Sequence, residues 1–146
     1  METIIPNLET LKQYAGDVAL RLGEPTSLGG ACILALSGEL GAGKTAFTKM
    51  LASELGVSES VPSPTFVIAK FYDIAGHPRF KRLIHADMYR INSTDELRPL
   101  GWEQLLGDPQ NLIVVEWPER IKGFIPRDAM HLYFTVTDET TRTIRA

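Results

Sequence analysis

The sequence predicts a three-layer α/β domain whose sheet is mostly parallel, with antiparallel additions. Three observations predict it. Ile33-Leu34-Ala35-Leu36 and Leu112-Ile113-Val114-Val115 are apolar runs without alternation, as strands covered on both faces require. Chemistry follows each run: Gly38-Glu39-Leu40-Gly41-Ala42-Gly43-Lys44-Thr45 after the first, Glu116 after the second. Beyond the glycine-rich stretch, Phe47, Met50, Leu51 and Leu55 recur at helical spacing, and Gly56 is a natural stop.

The glycine-rich stretch fits G-x-x-x-x-G-K-[ST], the phosphate-binding P-loop. Glycines let the loop curl with its N–H groups inward, and no Cβ blocks a phosphate. The backbone of Leu40, Gly41, Ala42, Gly43, Lys44 and Thr45 is expected to cradle the phosphates of a nucleotide. The Lys44 ammonium is placed for the β- and γ-phosphates and the Thr45 hydroxyl for Mg²⁺. The following helix aims its positive end at the same anion.

Bulk properties narrow the class. A chain of 146 residues is expected to form one domain over 1–146 and can bury about 68–70% of its unfolded surface without staples. Composition is ordinary for a globular protein, 44% hydrophobic and 23% charged. A net charge of −3 argues against nucleic-acid binding through the overall field. The single cysteine, Cys32, falls in the first apolar strand and reads as a buried core thiol, not half of a disulfide. No apolar run reaches 18 residues, and Met1-Glu2-Thr3-Ile4 lacks a basic region before an apolar one. The expectation is a cytoplasmic protein with no membrane contact.

In chain order, Leu8, Leu11, Ala15, Val18 and Leu22 form one face of a helix, with Asn7 as cap and Gly23 as stop. That helix packs, or its start covers an adenine. Gly29-Gly30 turns the chain into the P-loop strand. Pro62 and Pro64 exclude a regular helix after the P-loop helix, so Ser63-Pro64-Thr65 reads as a stiff loop. Thr65 could sense Mg²⁺ or the γ-phosphate. Residues 66–72 and 82–86 form a hairpin with a basic tip, His77 to Arg82, either solvated or touching RNA or a partner. Ser93-Thr94-Asp95-Glu96 is a capping box, so a helix begins there, with Leu97, Leu100, Trp102, Leu105 and Leu106 supplying its apolar face and a second short turn before the break at Asp108-Pro109. Residues 130–136 and 141–145 are two closing strands around Asp138-Glu139.

Two carboxylates compete for the metal. Asp87 and Glu116 each end an apolar strand, where open α/β sheets bind ligands. One could hold Mg²⁺ while the other orients water. Trp117 could stack on a ligand, cover the site or simply pack.

Four segments in this order resemble the TsaE (YjeE) family of small bacterial P-loop ATPases: 38–45, Ser63-Pro64-Thr65-Phe66, His85-Ala86-Asp87-Met88-Tyr89-Arg90 and Glu116-Trp117-Pro118-Glu119-Arg120. The resemblance runs from about Leu8 to Arg145. It implies a P-loop lysine and threonine at Lys44 and Thr45, a switch at 63–65, an essential aspartate at Asp87 and a Mg²⁺-linked pair at Glu116 and Trp117. It also implies nucleotide contacts from Leu8 or Glu9 and from Arg142. Ala86 departs from the aromatic that many members carry. The resemblance further implies two partners, the TsaD transferase and its paralogue TsaB. With them, ATP hydrolysis would serve formation of threonylcarbamoyladenosine beside the anticodon of tRNA, the RNA being bound mainly by the partners.

Rival readings are a small metabolite kinase, a GTPase switch and a nucleotide-gated binding module. The kinase needs an acceptor pocket and an arginine-rich lid. Asp73-Ile74-Ala75-Gly76 matches the D-x-x-G of GTPases, but no N-K-x-D guanine motif exists.

Overall fold

A computed structural model describes residues 1–26, 29–58 and 68–146. In chain order the strands are β1 (Glu2–Ile5), β2 (Cys32–Gly38), β3 (Ala69–Asp73), β4 (Arg82–Asp87), β5 (Asn111–Glu116), β6 (Met130–Val136) and β7 (Arg142–Arg145). The helices are α1 (Leu8–Leu22), α2 (Lys44–Leu55), α3 (Leu97–Leu100) and α4 (Trp102–Leu106), with 3-10 segments at Thr94–Glu96 and Pro118–Phe124. Among the described residues, the strands form one sheet in the order β1-β7-β6-β2-β5-β4-β3. Its four central strands are parallel, and β3, β7 and β1 add on antiparallel. This is the mixed α/β architecture that the apolar runs predict.

Strand alternation sorts the core into two layers. Leu34 and Leu36 of β2, Leu83 of β4, and Leu112 and Val114 of β5 share one cluster with the buried faces of α1 and α2. Ile33, Ile84, Ala86, Ile113 and Val115 join the opposite cluster with Leu97, Trp102, Leu105 and Ile121. Helices therefore cover both faces, and β5 is buried along its whole length. On the first face, Phe47 of α2 packs between Tyr14 of α1 and Phe134 of β6, at ring-centroid distances of 6.2 and 5.6 Å.

Local signals set the element ends. The Asn7 side chain accepts from the Thr10 N–H at 2.8 Å and starts α1, while the chain leaves α2 at Gly56 with φ 98°. The capping box at Ser93–Glu96 is present, but it opens a 3-10 turn. The expected helix and second short turn are α3 and α4, parted where Gly101 takes φ 75° between Leu100 and Trp102. Of the expected 66–72 strand, Phe66 and Val67 lie outside the described residues and Ile68 is a bend, so β3 runs from Ala69 to Asp73. The closing pair forms as expected, and β6 also pairs in parallel with β2. β1, unanticipated, pairs with β7 as an edge strand.

The basic hairpin tip is partly committed to structure. Arg79 donates to the carbonyls of Leu22 and Glu24 where α1 ends, and Phe80 is buried. Among the described residues, no helix is long and apolar enough to cross a membrane. Leu34 is fully buried in the middle of the sheet, so Leu34→Ala is expected to cost about 2–5 kcal/mol. Urea unfolding of the variant measures that loss.

Candidate functional site

β2 delivers the chain to the loop at its C-terminal end. Gly38 has φ 147°, and a Cβ there would stand 2.6 Å from the Phe134 carbonyl oxygen, so only glycine fits. Gly43 has φ 103° and starts α2, placing Lys44 and Thr45 in the first helical turn. The Ala42 N–H donates to the Glu39 carbonyl at 3.1 Å, closing the loop on itself. Leu40 is exposed at the tip, while Ala42 is buried beneath it.

The carboxylates arrive by strand parity. Asp87 shares its face of β4 with Leu83, and Glu116 shares its face of β5 with Leu112 and Val114. Both therefore project on the side of the sheet that carries α2. The register sets Leu36 opposite Glu116, and Glu116 opposite Asp87. The Thr45 hydroxyl lies 3.3 and 3.4 Å from the two Glu116 oxygens. His85, also on this face, meets Glu116 Oε2 through Nε2 at 2.5 Å. Glu116 is 3% exposed and His85 fully buried.

Lys44 is 4% exposed. Its ammonium donates to the Gly38 carbonyl and lies 3.8 Å from the centre of the Trp117 ring. Burial lowers its pKa, while Glu116, Glu119 and Asp87 pull the other way. Trp117 reaches this position from φ 60°, the one non-glycine positive φ among the described residues. Such a conformation costs on the order of 1–3 kcal/mol and survives only where surroundings enforce it. Here the Trp117 N–H donates to Leu36 O, and Pro118 follows at once. Tyr89 packs on the indole at 5.0 Å, and the Ser37 hydroxyl donates to Glu119 at 3.2 Å.

Arg142, remote in sequence, lies at the same loop. It donates to Gly41 O at 3.3 Å and to Asp138 O and Thr141 O in its own hairpin. The structure thus gathers Leu40, Gly41, Ala42, Gly43, Lys44, Thr45, Asp87, Glu116 and Arg142 at one end of the sheet. Thr65, with Ser63 and Pro64, lies outside the described residues. His85 and Glu119 were not singled out from sequence. The parity of His85 with Asp87 was the available signal for the first.

Burial raises the Asp87 carboxyl above its ordinary range. The Tyr89 N–H opposes this most, Glu116 adds to it, and His85 and Lys44 oppose it further. A raised folded-state pKa means that the folded protein binds this proton more tightly than the unfolded chain. Ionised Asp87 therefore costs stability, and the cost grows as pH climbs through the ordinary and then the raised value. Asp87→Asn keeps an oxygen for the Tyr89 N–H. It is expected to raise the melting temperature at about pH 7 and to give no gain below about pH 3.5. Thermal melts across pH, in EDTA, check both the sign and the window.

Comparison with known proteins points to one family. A family model described as threonylcarbamoyl adenosine biosynthesis protein TsaE matches residues 5–144. The tRNA threonylcarbamoyladenosine biosynthesis protein TsaE of Rickettsia bellii is 32% identical over 142 residues, 97% of this chain and 90% of the relative. The protein of the same name from Borreliella burgdorferi is 37% identical over 98 residues, covering 67% of this chain and 68% of the relative. The crystal structure of Bacillus subtilis YdiB superposes with a TM-score of 0.70 at 27% identity, covering 99% of this chain and 82% of that one. With the family model spanning nearly the whole sequence, the chain belongs to the TsaE family.

Proposed function

We propose that this chain is a Mg²⁺-dependent ATPase of the cytoplasm that serves threonylcarbamoyladenosine formation on tRNA. Its partners in this reading are a TsaD-type transferase and a TsaB-type paralogue, with tRNA reached through them. The carrying observation is the Thr45 hydroxyl 3.3 Å from Glu116, beside the Lys44 ammonium at the end of β2. Relatives named for threonylcarbamoyladenosine biosynthesis on tRNA support the cellular role.

The donor set suits a hard cation. One hydroxyl and one buried carboxylate offer oxygen only, and Mg²⁺ usually takes one or two protein oxygens plus phosphates and water. Thr45 and Glu116 would hold it, and when bound it would neutralise charge on the β- and γ-phosphates. Lys44 would leave Gly38 O for the phosphates and offset charge in the transition state. Its shelter under Trp117 excludes water, which strengthens that charge. Asp87, half-buried and one register pair from Glu116, would orient the attacking water or the metal's water shell. Arg142 would steady the loop through Gly41. Thr65 would report the γ-phosphate.

Lys44→Ala is expected to fold and to lose on the order of 10²–10³ in turnover. Phosphate release, measured alone and with a purified TsaB–TsaD pair, tests this. Stimulation by the pair that vanishes in the variant supports the reading. Unchanged hydrolysis by folded Lys44→Ala removes it, and transfer of phosphate to a metabolite replaces it with a kinase.

A further inference from the structure

His85 sits in the middle of β4 among Leu83, Ile84 and Ala86, a setting in which an apolar residue would pack at no electrostatic cost. It is fully buried, yet its Nδ1 has no hydrogen-bond partner among the described residues. A buried, unpaired ring nitrogen costs stability, so its retention calls for a compensating role. The other nitrogen shows one. Nε2 meets Oε2 of Glu116 at 2.5 Å, and Glu116 is itself buried. That contact requires the hydrogen on Nε2, because a bare nitrogen lone pair would face the carboxylate. The geometry is built by the sheet: His85 pairs with Val114, two residues before Glu116, so the two side chains meet diagonally on one face.

The effect on Glu116 is specific. Its χ angles alone would let the carboxylate swing, and Thr45 offers only long contacts to both oxygens. Among the described residues, Oε2 has His85 as its close partner, and Oε1 has none besides Thr45. We propose that His85 is a positioning residue that locks the Glu116 carboxylate through Oε2 and keeps Oε1 presented beside the Thr45 hydroxyl for a divalent cation. This rests on the reading of Thr45 and Glu116 as the metal-holding pair. Ligand carboxylates are commonly oriented by such hydrogen bonds, and losing one typically costs 10–100-fold in metal affinity.

The test is Mn²⁺ binding to the ADP-loaded protein, read as loss of the free-ion EPR signal, in wild type, Glu116→Gln, His85→Leu, His85→Gln and His85→Asn. Thermal melts on each variant report folding. Glu116→Gln is expected to lose the Mn²⁺ site. His85→Leu is expected to weaken it on the order of 10–100-fold while ADP affinity in EDTA stays unchanged. Glutamine sets an amide N–H near the position of Nε2 and is expected to restore most of the affinity, whereas asparagine is too short and is not. If His85→Leu does not fold, the glutamine–asparagine difference decides alone. Full Mn²⁺ affinity in His85→Leu or in His85→Asn, with Glu116→Gln defective, overturns the positioning role and leaves the metal reading standing. Mn²⁺ binding that ignores Glu116 overturns both.

Discussion

The pairing of β2 with β5 is the constraint on which the site depends. Cys32 through Leu36 run beside Leu112 through Glu116 in parallel register. Parallel register brings both C-terminal ends to one edge, so the loop at 38–45 and the carboxylate at 116 meet without any further device. A slip by one residue would turn Glu116 to the opposite face and exchange the two apolar layers. The register is therefore held by everything that packs on β5, which is buried throughout. Stability and site geometry are one problem here, because the same alternation sends Ile113 and Val115 into one core and Glu116 toward α2.

The site itself works against the fold. Lys44 and Glu116 are buried charged side chains, and Asp87 is half-buried beside them. Burial shifts Lys44 down and Asp87 up, each toward its neutral form. Trp117 adds backbone strain, and His85 an unpaired nitrogen. Such violations concentrate where function needs them and are tolerated because the surrounding core is dense. The Phe47–Phe134 contact and the Gly38–Phe134 close approach tie the loop's two flanks to β6, away from the charged cluster.

Much of this was legible from the sequence because the strongest signals are local. An apolar run, a glycine-rich turn and a helical period fix β2, the loop and α2. A carboxylate after an apolar run marks Asp87 and Glu116. Other features depend on contacts distant in sequence. β1 is four residues with only Ile5 buried, and its identity as a strand comes from β7. Arg79 looked like part of a basic tip, and only the end of α1 shows what it serves. The second short turn expected after the capping box is α4, and only the structure places the break between it and α3 at Gly101. His85 and the left-handed Trp117 have meaning only once β2, β4 and β5 are side by side. Thr65 falls outside the described residues, so the sequence remains its sole witness.

The strand order carries a consequence for how the chain assembles during synthesis. β2 leaves the ribosome early, but its two neighbours, β5 and β6, come far later, and β1 must wait for β7, with Glu2 opposite Arg145. Pairings of such long sequence separation form slowly, because loop closure precedes the contacts that reward it. A nascent chain that ends after β5 already contains every letter of the P-loop and Glu116. It still has a bare edge on β2, and Gly38 has no Phe134 to lie against. Until β6 docks, the apolar run at 33–36 is an open strand edge prone to pairing with other chains. The geometry of the loop at 38–45 in this topology thus belongs to the finished sheet, and shortening the chain from its C-terminal end would remove it long before reaching a residue of the loop.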